Sequence, residues 1–417
     1  MVGAGIFALL GEAGAVAGSA TWVSFLVAGV ISVLLGYNVV KLGVRYPSSG
    51  GLFEYLLQGF GNGRLLGIAA WLGYMSAVLI VCSMCAVSFG DYAVSLFVSD
   101  GGWDGWDNVF TSAVVVAMAF VVIVGPHLVA RAQSVIVFIM IGILGLFVTV
   151  TLPSIDLDML SFDGYPPVSD IVASVALTFF AYLGFSVITF AVGDMRDPGR
   201  DLPKAMNRAL AVTTLVYVLV AVSVFGTLTV DEVVRYGPTA IAEAGRPALG
   251  DAGFTLIAIA AMVGMAGSVV ATLYASRGLT GMLSDVGQFP PFFGRTSRLG
   301  AKSGVLISAA AVLVVSNTVD LSAIASVGSA CSLMIFVLVG VAGYRQRALT
   351  GASAIVILLG IAATLVVLGF FVVDTFNNAP QTFTAIVVIS VLAVVLDTVW
   401  KRVRPDEPPV ESAPAGG

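Results

Sequence analysis

The sequence predicts an all-α integral membrane protein of about twelve transmembrane helices. Hydrophobic residues make up 59% of its 417 residues, and mean hydropathy is +1.04. Charged residues make up only 10%, against ~25% in an ordinary soluble domain. The apolar residues gather into long runs, with the basic residues on alternate connections between them. So few charges cannot cover a water-exposed surface, and the bilayer is the solvent that fits.

Crossing ~30 Å of hydrocarbon takes about 20 helical residues at ~1.5 Å each. Runs of that kind lie near 20–42, 65–90, 109–125, 134–152, 170–193, 206–229, 252–275, 303–319, 321–342, 353–373 and 382–400. Ahead of them stands an apolar piece at roughly 1–11, half a span long. It completes the twelve, with the first helix truncated. A chain starting at Met1 would leave a charged amine near the bilayer midplane, which is costly. The natural protein is therefore expected to begin about a half-helix and a short tail upstream. The length leaves room for one bundle and no sizeable soluble domain. Residues 401–417 are expected to be a disordered tail, rich in Pro, Ala, Gly and Glu from Pro405 onward.

Basic residues favour the cytoplasmic side. With the loop near Ala13–Ser19 outside, 17 of the 19 Lys and Arg residues fall inside, and only Arg235 and Arg246 fall outside. A wrong helix count would scramble that alternation. The chain is thus expected in the cytoplasmic membrane with its C-terminus cytoplasmic. The outer loops carry Asp100, Asp104, Asp107, Asp156, Asp158 and Asp163. Asp170, Asp251 and Asp320 stand at helix starts, where N-capping accounts for them.

Several function classes find little support. Cys82, Cys85 and Cys331 lie in apolar runs and suit helix packing, with no disulfide expected. His127 is the only histidine, so no zinc site is expected. With no nucleotide-binding loop and no intramembrane acid cluster, an enzyme is not expected, nor a cofactor or a nucleic-acid partner. Asp91 lies 26 residues past Leu65, or ~39 Å along a helix, and is expected at the outer headgroups. Asp397, four before Lys401, has the spacing of a surface pair. Glu54 falls on an interfacial stretch after Gly50-Gly51. No buried acid stands out for a proton relay.

Secondary transporters bind at discontinuous helices near mid-membrane, where helix N-termini hold anions and free carbonyls hold cations. Two spans here are interrupted in that way. The first carries Gly3-Ala4-Gly5-Ile6-Phe7, and the sixth carries Phe179-Phe180-Ala181-Tyr182-Leu183-Gly184-Phe185. Five spans separate their starts, as an inverted five-plus-five repeat requires. Taken singly, a glycine pair more often serves close packing and an aromatic stripe is more often core.

Four segments, in order and at the right spans, resemble the amino acid–polyamine–organocation superfamily of permeases. Gly3-Ala4-Gly5-Ile6-Phe7 resembles its G-x-G-I-F. Arg45-Tyr46-Pro47-Ser48-Ser49-Gly50-Gly51 resembles the R-x-P-x-x-G-G after its second helix. Phe179 through Pro203 is similar to its sixth helix and E-x-K-N-P-x-R-x-x-P loop. Ser276-Arg277 with Asp285-Val286-Gly287-Gln288-Phe289-Pro290 is similar to its S-R…D-G-x-x-P, with one residue extra.

The resemblance implies the inverted-repeat fold of the bacterial leucine transporter plus two C-terminal helices. The first repeat would be 1–152, the second 153–343 and the added helices 344–400. It implies an amino acid permease working by alternating access. Amides of Gly3, Ala4 and Gly5, beside Ile6, would hold the substrate carboxylate. Carbonyls of Phe180, Ala181 and Leu183, beside Gly184, would accept the amine. Phe180 would lid the substrate and Phe185 would line its side-chain pocket.

Two departures bear on coupling and selectivity. Ser186 stands where many relatives carry glutamate, which weakens a preference for cationic side chains. Met140, seven residues past Gln133, stands where some proton-coupled relatives carry lysine, and methionine cannot carry a proton. Ser268 and Thr272 are candidate sodium oxygens, although a hydroxyl bonded to its own helix explains them as well. A coupling ion, Na+ or H+, or an exchanged substrate remains open. So do a polyamine or organic-amine permease and a non-transporting sensor or scaffold of the same fold. The mixed-charge loop Asp194–Arg208 is either a salt-bridged loop or a support of the inner gate.

Overall fold

The structure is a computed structural model that describes residues 3–98, 103, 105–124, 126–296 and 303–403. The side chains of Ala4, residues 126–135 and Asp194 lie outside that description, as do Asp100, Asp104, Arg298, Lys302 and the tail from Arg404. The expectations placed on His127, Gln133 and those residues are therefore outside it too.

The chain forms α1 (Ala4–Ala17), α2 (Thr21–Arg45), α3 (Leu52–Phe60), α4 (Arg64–Tyr74), α5 (Val81–Phe97), α6 (Trp106–Val124), α7 (Pro126–Thr151), α8 (Val168–Tyr182) and α9 (Gly184–Val187). There follow α10 (Pro198–Phe225), α11 (Val230–Tyr236), α12 (Ala240–Ala244), α13 (Arg246–Asp285), α14 (Ser303–Thr318), α15 (Leu321–Thr350), α16 (Ala354–Asn378) and α17 (Pro380–Val403). Among the described residues, ten stretches are long and apolar enough to cross a membrane. One of them, Gly5–Arg45, joins α1 and α2 through the turn at Gly18–Ala20, and α14 is shorter. The expected twelve counts α1 and α14 separately.

Small residues set the helix contacts, as expected where lipid supplies no hydrophobic drive between helices. Gly29, Gly36 and Gly43 of α2 recur every seven residues, two helical turns, and so share one face. They receive Thr214, Leu210 and Leu202 of α10, with a Cβ on Gly36 falling 2.9 Å from Leu210. The opposite pairing of α2, with α8, is stitched by hydroxyls. Ser24 and Ser174 oxygens lie 2.5 Å apart, Thr178 donates to Ser24 O at 3.0 Å, and Tyr182 donates to Phe25 O at 2.9 Å.

One basic end is closed by a loop. Ser49 O approaches Gly278 of α13, Gly50 faces Met282, and Gly51 (φ 62°) leaves room for the Phe190 ring. A side chain at Gly51 would meet that ring and would also be strained by its backbone. The interfacial α3 is clamped to α15, where Arg345 donates to Gly59 O at 3.3 Å and stacks over Phe60.

Two charge readings change. Asp170 and Asp251 begin helical segments, but Asp170 accepts from the Ser169 hydroxyl and Asp251 pairs with Arg246. Asp320 holds the N-cap position of α15 without a side-chain cap bond. Asp397 does pair with Lys401 at 2.8 Å, yet its carboxylate is fully buried, so this is no surface pair. Spacing gave the partner but not the wall behind it, because Gly67 of α4 admits the carboxylate into its contact surface. Lys401 also donates to Gly63 O, and Trp400 donates to Gly287 O at 3.0 Å. The pair thus fastens α17 to the core.

Replacing Lys401 with Met should leave a buried carboxylate unpaired and destabilise the protein by about 3 kcal/mol. Adding Asp397→Asn should recover most of the loss. Thermal unfolding of the purified protein in detergent measures both.

Candidate functional site

The first helix begins inside the bundle. Gly3 is its N-cap, and Gly3, Gly5, Ile6 and Phe7 are buried. The first-turn N–H groups of a helix have no carbonyl partner within it, and together they present partial positive charge. Gly5 lies against the end of α8, where an added Cβ would stand 2.7 Å from Ala181 O and 2.8 Å from Ala181 Cα. Gly3 lies against the Ser268 hydroxyl of α13. Gly264, one turn before Ser268, would carry its Cβ 3.8 Å from Gly3 Cα and receives the Met140 thioether of α7. Two other elements, α8 and α13, thus close on Gly3–Gly5, and α7 backs α13 through Met140.

The interruption of the sixth span is milder than an unwound gap. Leu183 keeps right-handed helical angles (φ −52°, ψ −23°) between α8 and the four-residue α9, and a 3-10 segment continues over Ile188–Asp194. The bonding shifts from i→i−4 to i→i−3. Leu183 N donates to Phe180 O at 3.2 Å and Ser186 N to Leu183 O at 2.9 Å. The Ser186 hydroxyl also donates to Leu183 O at 2.8 Å. A carbonyl has two lone pairs, so an ammonium reaching Leu183 O must displace one of these donors. Ala181 O accepts from Tyr217 at 3.2 Å.

Aromatic rings surround this break. The Phe180 ring fits into the space left by Gly328 of α15 and lies beside Ile80. Ile80 ends a π-helical turn, Met75–Ile80, between α4 and α5. Such turns concentrate at functional sites. Ser76 in that turn bonds to Ser332 of α15 at 2.7 Å. Phe179 and Phe185 both pack on Phe336, with ring centres 5.5 and 5.1 Å away. Ser268 donates to Gly264 O at 3.0 Å, and Thr272 is buried one turn further along α13. Among the described residues no group of three or more His, Cys, Asp or Glu is placed to hold a metal.

The fold therefore brings Gly3, Gly5, Ala181 and Ser268 together and places Phe180 on α15, while Phe185 meets Phe336. Gly328, Phe336 and Ile80 did not stand out in the sequence, because helix rotation decides which residues of the third and tenth spans face inward. Glu12 was also passed over. It lies eight residues past Ala4, ~12 Å up α1, and helps line a cavity of about 800 Å³ with Asp91, Asp107 and Asp320. Asp91 thus belongs to the cavity wall as well as to the outer end of its helix. The available signal was an acid closely following the glycine-rich start.

A family model described as amino acid permease matches residues 1–395. The inner membrane transport protein YbaT of Escherichia coli is 28% identical over 96% of this chain and 93% of its own length. The methylthioribose transporter of Bacillus subtilis is 26% identical, covering 71% of this chain and 66% of that protein. The serine/threonine exchanger SteT of the same organism is 24% identical, covering 64% and 61%.

Gly5→Ala should destabilise the protein by about 1–3 kcal/mol, because the obstructing atoms are Ala181 backbone. Gly3→Ala should cost less, since a hydroxyl blocks it, and Ser268→Ala should relieve it. Unfolding midpoints of the single and double variants check this.

Proposed function

We propose that this chain, which belongs to the amino acid permease family, moves a zwitterionic amino acid across the cytoplasmic membrane by alternating access. The observation that carries the reading is the burial of the α1 start against Ala181 and Ser268. Amides of Gly3, Ala4 and Gly5, with Ile6 next in the turn, hold the carboxylate as a helix N-terminus holds any anion. Carbonyls at Phe180, Ala181 and Leu183 accept the ammonium at the change of helix type before Gly184. Phe180 covers the ligand by leaving or regaining its place on Gly328. Phe185 and Ser186 border the side-chain space. No residue in this set is charged, so the site recognises its ligand by dipoles.

The repeats, 1–152 and 153–343, form the transport core, with the helices of 344–400 outside it. The C-terminus faces the cytoplasm, as the distribution of basic residues supports. Met140 fills the space beside Gly264 and cannot itself carry a proton. Sodium at Ser268 and Thr272, a proton carried by a group other than residue 140, or exchange against a second substrate supplies coupling.

A second reading, a permease for cationic amines, is favoured by the four carboxylates of the Glu12 cavity. Binding separates the two. In thermal-shift assays over twenty amino acids and several polyamines, a cognate ligand at a hundredfold excess over Kd should stabilise by about 2.7 kcal/mol. A neutral amino acid is the expected hit, and Phe180→Ala should weaken it. A polyamine hit alone selects the second reading, and silence across the panel rejects both in favour of a scaffold. Dependence of the hit on sodium tests Ser268 and Thr272.

The three cysteines are buried, so introduced thiols report orientation. Val234→Cys, on α11, should react with an impermeant maleimide on intact cells, and Phe292→Cys should react only after permeabilisation. The reverse pattern inverts the topology.

A further inference from the structure

We propose that the groove between α2, α10 and the end of α15 is a binding site for an anionic phospholipid. The groove encloses about 660 Å³. It opens outward, since Val33 and Val44 on its α2 wall and Leu349 on its α15 wall are exposed. From Val33 to Arg45 it spans ~18 Å of helix, close to half of a ~30 Å hydrocarbon core. That is the depth of one leaflet.

Its chemistry is graded along that length. Val33, Val40 and Val44 make an apolar wall, and Lys41 and Arg45 gather at the end where α2 leaves the bilayer. Among the described residues no carboxylate lines it, though Asp197 lies against Gly199 at its floor. Neither cation belongs to an ion pair among the described residues. Lys41 is 5.8 Å from the Tyr37 ring centre and Arg45 is 5.7 Å from that of Tyr46, contacts that leave both charges uncompensated. The floor is hollow because α10 presents Gly199 and Pro203, one turn apart. Asn207 and Thr350 add neutral groups suited to ester and glycerol oxygens. Apolar length with two unpaired cations at headgroup depth matches a lipid whose headgroup is a net anion. The inference requires only that the bundle lie in a bilayer, and it stands apart from the transported substrate.

The test uses the full chain, stripped of lipid in nonionic detergent. Phosphatidylglycerol or phosphatidylcholine is titrated in as mixed micelles while the unfolding midpoint is read. Phosphatidylglycerol should raise the midpoint, with apparent affinity about tenfold or more above that of phosphatidylcholine. Lys41→Gln with Arg45→Gln should abolish the difference. Leu349→Trp, which narrows the groove and keeps both cations, should abolish it as well, and serves if the double variant fails to fold. Arg295→Gln with Arg402→Gln, which removes the same charge away from the groove, should preserve it. Equal response to the two lipids overturns the proposal, since the cations would then merely be reaching the interface. So does survival of the selective shift in the groove variants, or its loss in the distant control.

Discussion

Everything in this architecture depends on the bilayer's inability to hydrogen-bond a backbone. A helix end in hydrocarbon leaves N–H groups that lipid cannot satisfy, so one is tolerated only where protein encloses it. Among the described residues the first turn of α1 is buried and enclosed by protein in that way. Ala181, Ser268 and Gly264 close on Gly3 and Gly5, and each contact is with backbone or a small group. Larger side chains on either face would separate the helices and expose the orphaned amides. The same constraint explains why the sixth span changes helix type at Leu183 without opening. A 3-10 turn keeps the donors at 183 and 186 bonded, and the Ser186 hydroxyl takes a further lone pair.

The packing that surrounds this end is hierarchical. Hydroxyl bonds tie α2 to α8, and the glycine face of α2 ties it to α10. These contacts fix where α8 ends, and so where Ala181 meets Gly5. A second layer joins the π turn and α15 through Ser76 and Ser332 and seats Phe180 on Gly328. The two layers meet at aromatic surfaces, with Phe179 and Phe185 on Phe336. Ring contacts slide more readily than hydrogen bonds break. An aromatic seam between two hydrogen-bonded layers is a suitable place for relative motion in the proposed transport cycle.

Much of this was legible in the sequence. Run lengths gave the membrane class, and motif order gave the family. Both depend on local pattern, which a sequence carries directly. What stayed hidden depends on which way a helix is turned. Asp397 was paired correctly with Lys401, since i,i+4 spacing is local. Its burial depended on Gly67, some 330 residues earlier. Ile80, Gly328 and Phe336 lie in uniformly apolar spans where no periodicity marks an inward face. Glu12 was hidden differently, as an acid at the edge of a run counted only to residue 11.

Charge placement follows one rule with informative exceptions. The residues that converge at the helix break are uncharged, and most ionised groups lie toward the ends of the spans. A buried helix start supplies roughly half an elementary charge, enough to orient a carboxylate without the desolvation cost that a fixed lysine would carry there. Of the acids of the Glu12 cavity, Glu12 lies further along α1, and Asp91, Asp107 and Asp320 come from α5, α6 and the start of α15. A cavity lined by four acidic side chains attracts cations rather than anions. A dipolar site at the helix start would suit the zwitterion of the first reading, whereas the acidic cavity by itself suits the cation of the second.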